Sequence, residues 1–542
     1  MSIHKIKENI GMAALIALMV MLMLTLVGIS ALKLSQDEID ITGNEMNEMS
    51  SFYAAEAGLE RATSSIQNQY MTTNAPPTVM PSGSEMVNNV QVIYNTVDNG
   101  PAVQNDLALG TLAGLHALIK TYSITSTGLS LIDGSQMELK EEFEVASVPL
   151  FQFAVFYGND LEIAPGPDMT LIGRVHSNGN LWLQAGSNLN MESFVTCSGN
   201  LLHGRKGPGS VDNGNVFIKD TDGNYHNMKN PDGSFLESTD ANWYDSAMSR
   251  WNGRVQDAAF GQKDLNLPLS NAGDPHKLIE RGTGNSDSYE HKASLKIMDG
   301  RAYIPVAGIW TDVTASLPAG TITTSTFYDG REGTNVNATD IDMSLLQTTT
   351  YFPSNGVIYA SDQRAGNFNA LRLKNGSDIG RPLSIFSENP MYVQGDFNSV
   401  NKQPAALAAD AVTFLSNSWD DTKSTLGIND REASQTTCNA AIMTGNVNTT
   451  STDYNGGLEN LPRFLEKWTN KKFIFRGSLI NLWNSLQATA PWSYGTYYTA
   501  PIRDWSYDID FDDPSKLPPE TPTFRVFQRL GWSQNYTAYK FN

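Results

Sequence analysis

Hydrophobic residues run along this chain in three rhythms, and each predicts a different structure. From Met12 to Leu32 the sequence MAALIALMVMLMLTLVGISAL carries no charge. At the helical rise it spans about 30 Å, the thickness of a bilayer's hydrocarbon core. Past Lys33 the apolar positions thin to a stripe: Met46, Met49, Tyr53 and Ala57, with Phe52, Ala55, Leu59, Ala62 and Ile66, step by three and four. That spacing predicts one helix continuing to about residue 70. Its uniformly apolar first third belongs in lipid or among similar helices, and its striped part belongs on a globular partner. Gly28 and Gly43 are expected bends or soft points.

The second rhythm follows a Pro-, Ser- and Asn-rich stretch that starts at residue 71. Alternating or apolar runs (VQVIY, ALIKTYSIT, MELKEEFEVA) predict a small antiparallel sheet over 71–148, laid on the helix. The third begins at Phe153: short strands separated by Gly, Asn and Asp over 149–203, resuming over 351–486. Because Gly and Asn supply corner conformations and apolar strand faces stack, the expectation is a single-stranded β-solenoid made from both blocks. Residues 204–350 interrupt the rhythm and are expected to be an insertion, with a hairpin at VFIKDTDGNYHNM and a helix around Trp243 to Phe260. GGLENLPRFLEKW has helix-like spacing of Leu458, Leu461, Phe464, Leu465 and Trp468. The aromatic tail, 487–542, is expected to wrap the body. The fold class is α+β: a long N-terminal helix with a small antiparallel sheet, then a mainly β body with an inserted subdomain.

At 542 residues and 17% charged residues the chain has ample material for more than one folded unit, and a net charge of −20 with no basic run excludes nucleic acid as an expected partner. Lys5 and Lys7 precede the apolar span, and Asp37, Glu38 and Asp40 follow it. The positive-inside bias therefore places the N-terminus in the cytoplasm, the helix as a single pass in the inner membrane, and the body outside. A removable secretory signal would be shorter in its apolar part and end at a small-residue cleavage site, which is not the pattern here.

The Lys-bearing leader ending at Gly11, the apolar run that follows, and ITGNEMNEMSSFYAAEAGLERA together resemble the N-terminal region of the PilX-type minor pilins of type IV pilus assembly. The resemblance covers about 60 residues. It implies a leader over 1–11, cleavage by a prepilin peptidase between Gly11 and Met12, and a stem helix over 12–70. Ile16, Leu24, Gly28 and Leu32 would then meet the membrane and the helices of other pilins. Ile16 stands where major pilins carry a glutamate, at the fifth mature position, which implies a tip or priming position rather than the filament body. The alternative is a membrane-anchored exported β-helix protein that binds or cleaves polysaccharide.

The remaining chemistry is sparse. Asp220, Asp222 and Asn224 imitate the start of a calcium loop, but Tyr225 and Pro231 replace its glycine and glutamate, so an Asp-Gly hairpin turn is expected. Asp508, Asp510, Asp512 and Asp513 form a candidate calcium cluster. Cys197 and Cys438 are candidates for a disulfide or for two buried thiols. His176 lacks a second histidine at metal spacing and reads as a turn residue. Glu388, Asp396 and Asp410 are the carboxylates a polysaccharide-cleaving site would need on one face. The usual hydrolase, nucleotide and zinc-protease motifs are missing, so no catalysis and no cofactor are expected, and the tail's aromatic residues are candidates for contact with a surface glycan or protein.

Overall fold

The computed structural model describes residues 3–108, 110–269, 273–366 and 368–537, with side chains from Gly11 onward. The side chains of Lys5 and Lys7 therefore lie outside the described residues. A single α-helix, α1, covers Ile3–Thr73 and passes unbroken through Gly11, Gly28 and Gly43, so neither expected bend breaks it. Its end is set locally. Asn74 turns left-handed at φ 54°, and two prolines follow it.

The striped part of α1 rests on an antiparallel sheet of β1 (Ser82–Val87), β2 (Val90–Asp98), β3 (Val103–Asp106), β4 (His116–Ser130) and β5 (Gln136–Pro149). Asn88 and Asn89 both take positive φ and close the two-residue β1–β2 hairpin, the turn that matches strand twist. Ala55, Leu59, Ala62, Ile66 and Tyr70 of the helix pack on Tyr122, Ile124, Met137, Leu139, Phe143 and Val145 of the sheet. The sheet's last member comes from the other end of the chain. The strand Thr523–Thr537 pairs antiparallel with β5, from Thr523 opposite Pro149 to Thr537 opposite Gln136.

Between these two paired strands lies the β body. Residues 153–203 fall into three parallel stacks in which Leu161, Leu181 and Leu201 sit one over another, as do Val155, Val175 and Val195. Each partner is twenty positions along. Later in the chain, Leu295–Met298, Val357–Ser361, Leu383–Ser387, Ala405–Ala409, Ala441–Thr444 and Leu479–Asn481 form a parallel ladder whose last strand pairs with Phe153–Tyr157. One twelve-stranded sheet thus runs through both blocks. The chain enters this sheet mid-stack, builds outward to Val255–Gln256, crosses to the far end, and builds back to where it began.

Three sequence expectations change. Residues 204–350 do not stand apart, since Asn215–Lys219, Val255–Gln256, Leu295–Met298 and Thr334–Asp342 extend the parallel stacks. GGLENLPRFLEKW is not a helix: it holds a short 3-10 turn, Leu458–Asn460, and a two-residue strand, Arg463–Phe464. Pro462 lacks the amide a helix interior needs, and Glu459, Arg463 and Glu466, which a one-faced helix would leave in solvent, are buried along with Leu458, Leu461, Phe464, Leu465 and Trp468. The tail does not simply wrap. Ile502–Tyr507 pairs in parallel with Lys472–Gly477, and the residues after Pro522 leave the body for the helix-bearing sheet.

Candidate functional site: an unpartnered apolar helix and its mounting

Along α1 the environment changes abruptly. Met12, Ile16, Leu24 and Leu32 are 63%, 57%, 65% and 72% exposed, and every large apolar side chain between them is exposed too. A Cβ placed on Gly11 or Gly28 would meet nothing within 4 Å. Leaving one Leu, Ile, Met or Val side chain in water rather than burying it forgoes about 1.5–3 kcal/mol, so this segment summed carries tens of kcal/mol of unmet burial. It is the one helix among the described residues long and apolar enough to cross a membrane. Lipid, or the flanks of similar helices, can supply that burial.

One turn beyond Asn47, whose side chain donates to Asp133 at 2.9 Å, the helix is clamped. Ser51, Ala54, Ala55, Ala62 and Ile66 are fully buried. The fit depends on missing side chains: a Cβ on Gly128 of β4 would lie 2.2 Å from the Ser51 carbonyl oxygen, and one on Gly58 would lie 2.2 Å from Ser126 Oγ. Polar contacts pin the rest. Tyr70 and Tyr122 share a hydrogen bond at 2.8 Å, and Arg529 of the C-terminal strand pairs with Glu60 on the helix and Glu141 on β5. Burial pushes the Glu141 carboxyl above its ordinary value against the pull of Arg529. Phe52 and Trp532 meet edge to face at 6.2 Å.

The other candidate residues are accounted for by structure. Asp508 and Asp510 are held by Lys402, Asp510 also by Lys516, Asp512 accepts from Tyr507, and Asp513 caps the turn at Ser515. The four do not converge on a cation, and among the described residues no His, Cys, Asp or Glu group is arranged to hold a metal. Asp220 accepts amides from Asp222 and Asn224 inside the expected hairpin. Cys197 and Cys438 are separate, free and buried, on strands that pair with different neighbours, and form no disulfide; burial pushes both thiols up.

His176 is fully buried between Thr196, at 2.8 Å, and Asn178, at 2.9 Å, and burial lowers it to about 4. It is a neutral core histidine. Glu388 accepts from Arg281 N, Ser361 and Gln363, Asp410 from the amides of Leu486, Gln487 and Ala488, and Asp396 from Thr437 N. Asp410 is also met by His276 Nε2 at 3.4 Å, whose Nδ1 lies 2.8 Å from Glu280, so backbone amides and a buried histidine hold it in place. Of the tail's aromatic residues, Tyr497, Tyr498 and Tyr507 are buried and Tyr494 is 58% exposed. The clamp made by Gly58 and Gly128 was invisible in sequence, where a helical and a strand glycine usually read as weak points.

The sequence matches no family model and no curated protein. Among solved structures it is similar to the competence-associated pilin ComZ from Thermus thermophilus. The identity is 12% and the TM-score 0.28, over 90% of this chain and 98% of that one.

Proposed function

We propose that this chain is a minor pilin-like subunit of the PilX type, which passes from the inner membrane into a type IV pilus or a related secretion filament. There it acts in assembly, priming or tip display and holds its β body out for adhesion. One observation carries the reading: a single continuous helix is unpartnered and uncharged over residues 12–32 yet clamped to a sheet from Ser51 on. A plain membrane tether needs only the first half of that arrangement. A subunit that must transmit position from a helix bundle to an external body needs both.

In this reading the leader is removed after Gly11 by a prepilin peptidase, and Met12 begins the mature helix. Ile16 brings no carboxylate into the bundle, which suits a subunit with no helix beneath it to neutralise. The body is a β-solenoid, supported by the twenty-residue register of its stacks, and it works as a display surface without catalysis or cofactor. Sequencing the N-terminus of protein recovered from the cell envelope tests this: a chain starting at N-methylated Met12 is expected. A chain that keeps Met1 in envelope and filament fractions alike would overturn the proposal.

A further inference from the structure

The two blocks of the body meet at a seam, and among the described residues only one of their three stacks continues across it by strand pairing, where Leu479–Asn481 pairs with Phe153–Tyr157. The stack ending at Leu161–Ile163 and the stack ending at Met169–Leu171 stop there as sheet edges. Ile502–Tyr507 lies against Met169–Leu171 without pairing to it. A cleft of about 560 Å³ opens at this break, between residues 164–169 on one side and 492–503 on the other. One edge amide is already met from across the seam, where Ala164 N donates to Glu459 at 2.8 Å.

Aromatic rings set at fixed angles line the cleft. Trp492 donates its indole N–H to the Tyr498 hydroxyl at 2.7 Å, which donates in turn to Asn460 at 2.8 Å. Tyr454 donates to Glu162 at 2.7 Å and stands edge-on to Trp492 at 5.5 Å. Tyr494, the most exposed of them, stands edge-on to Tyr498 at 6.0 Å. The hydroxyls and the indole N–H of Trp492, Tyr498 and Tyr454 are spent inside the protein; Tyr498 is buried, and Trp492 and Tyr454 offer ring faces rather than polar tips.

Two cations complete the lining. Arg503 donates to the Glu459 carbonyl at 3.1 Å, and Arg205, stacked over Tyr454 at 4.8 Å, has its closest carboxylate, Asp212, 3.8 Å away. The Nε of each is buried without a hydrogen-bond partner among the described residues, and both guanidiniums line the cleft.

We infer that this seam cleft binds an oligosaccharide, with the C–H faces of sugar rings on Trp492, Tyr494 and Tyr454 and ring oxygens or carboxylates accepting from Arg503 and Arg205. Flat faces beside acceptor-seeking cations suit a molecule with one apolar side and an oxygen-rich rim. A peptide strand adding to the Leu161–Ile163 edge would have to displace Glu459 from Ala164 N. The inference rests on the display half of the proposed function and names its ligand class.

The test uses the full chain purified in detergent on an array of neutral and acidic oligosaccharides, with hits titrated by quenching of tryptophan fluorescence. Binding of a sugar is expected to weaken at least about tenfold in Tyr494→Ala and in Arg503→Gln. Tyr494 is exposed, so its variant keeps the fold, which an unchanged thermal melt checks. Loss with Arg503→Gln confined to acidic sugars assigns a uronate-type ligand; equal loss for neutral sugars assigns hydroxyl recognition. No hit on the array, binding unchanged in both variants, or equal binding of a polyglutamate peptide overturns the inference. None of these results bears on whether Gly11 is cut, so this inference and the filament reading fail separately.

Discussion

Gly128→Ala adds one methyl where none fits. Its Cβ would lie 2.2 Å from the Ser51 carbonyl oxygen and 3.2 Å from Ala55 N. Both are backbone atoms of α1, so no rotamer relieves the contact, and the helix must lift by about 1 Å from β4 to restore van der Waals distance. Lifting loosens the packing of Ala55, Leu59, Ala62, Ile66 and Tyr70 together. A radial gap of that size forfeits a quarter to a half of each dispersion well, and overpacking of this kind costs typically about 1–3 kcal/mol. With a rigid neighbour we expect the upper end, about 3 kcal/mol. Native-state hydrogen exchange of the full chain in detergent reads this directly, because at about 1.4 kcal/mol per factor of ten the amides of 54–70 should exchange roughly a hundredfold faster. Strands in the body such as Leu383–Ser387 should not change. Gly531→Ala on the C-terminal strand, one strand further across the same sheet, where the new Cβ meets nothing within 4 Å, is the control. If Gly128→Ala and Gly531→Ala exchange alike over 54–70, close approach is not what clamps the helix.

Further perturbations probe the body. Glu466 is 1% exposed, accepts from Ser416 N and Oγ at 2.6 and 2.7 Å, and is raised by burial to about 7. A raised carboxyl favours folding while it is protonated, so its contribution is full below its unfolded value and lost as pH climbs through about 7. Relative to Glu466→Gln, the native chain should therefore lose up to about 3 kcal/mol between about pH 5 and pH 8; a constant difference between the two in denaturant titrations would refute this. Cys197 and Cys438 should resist thiol reagents until the chain unfolds, and a reductant should leave the melting temperature unmoved; a downward shift would reveal a disulfide. Because Pro149 and Thr523 are paired neighbours, replacing 150–522 with Asn-Gly should close β5 and the C-terminal strand into an ordinary hairpin. Circular dichroism of that short chain should show a folded helix and sheet, and an unfolded product would mean the stem depends on the body.

The sequence shows the helix plainly, because an uncharged run followed by a three-four stripe is a local pattern and needs no knowledge of distant partners. Strand type was legible for the same reason. Strand partnership was not. Leu479 lies beside Val155, and Thr523 beside Pro149, across separations of hundreds of residues that no local periodicity encodes. The parallel stacking of 215–219 and 295–298 was hidden by the polar turns around them. GGLENLPRFLEKW misled because burial on every side produces apolar spacing that a helix also produces. The partners of Glu388 and Asp410, an Arg281 amide, Ser361 and Gln363 for one and the amides of 486–488 with His276 for the other, lie far off in sequence and were likewise illegible.

The mounting of the body follows from where it interrupts the stem. Its two ends leave the small sheet side by side, and Leu150 N donates to the Pro522 carbonyl at 2.8 Å as they do. The paired strands that carry the body also carry the residues that grip α1: Phe143 on β5 stacks on Phe527 at 6.2 Å, and Arg529 bridges Glu60 and Glu141. Torque on the body is therefore delivered to the helix through this antiparallel pair, braced by Arg174 and Gln262 on Thr111, rather than through a flexible linker. A body joined at a single end could swivel; one entered and left through adjacent strands must turn with the helix beneath it.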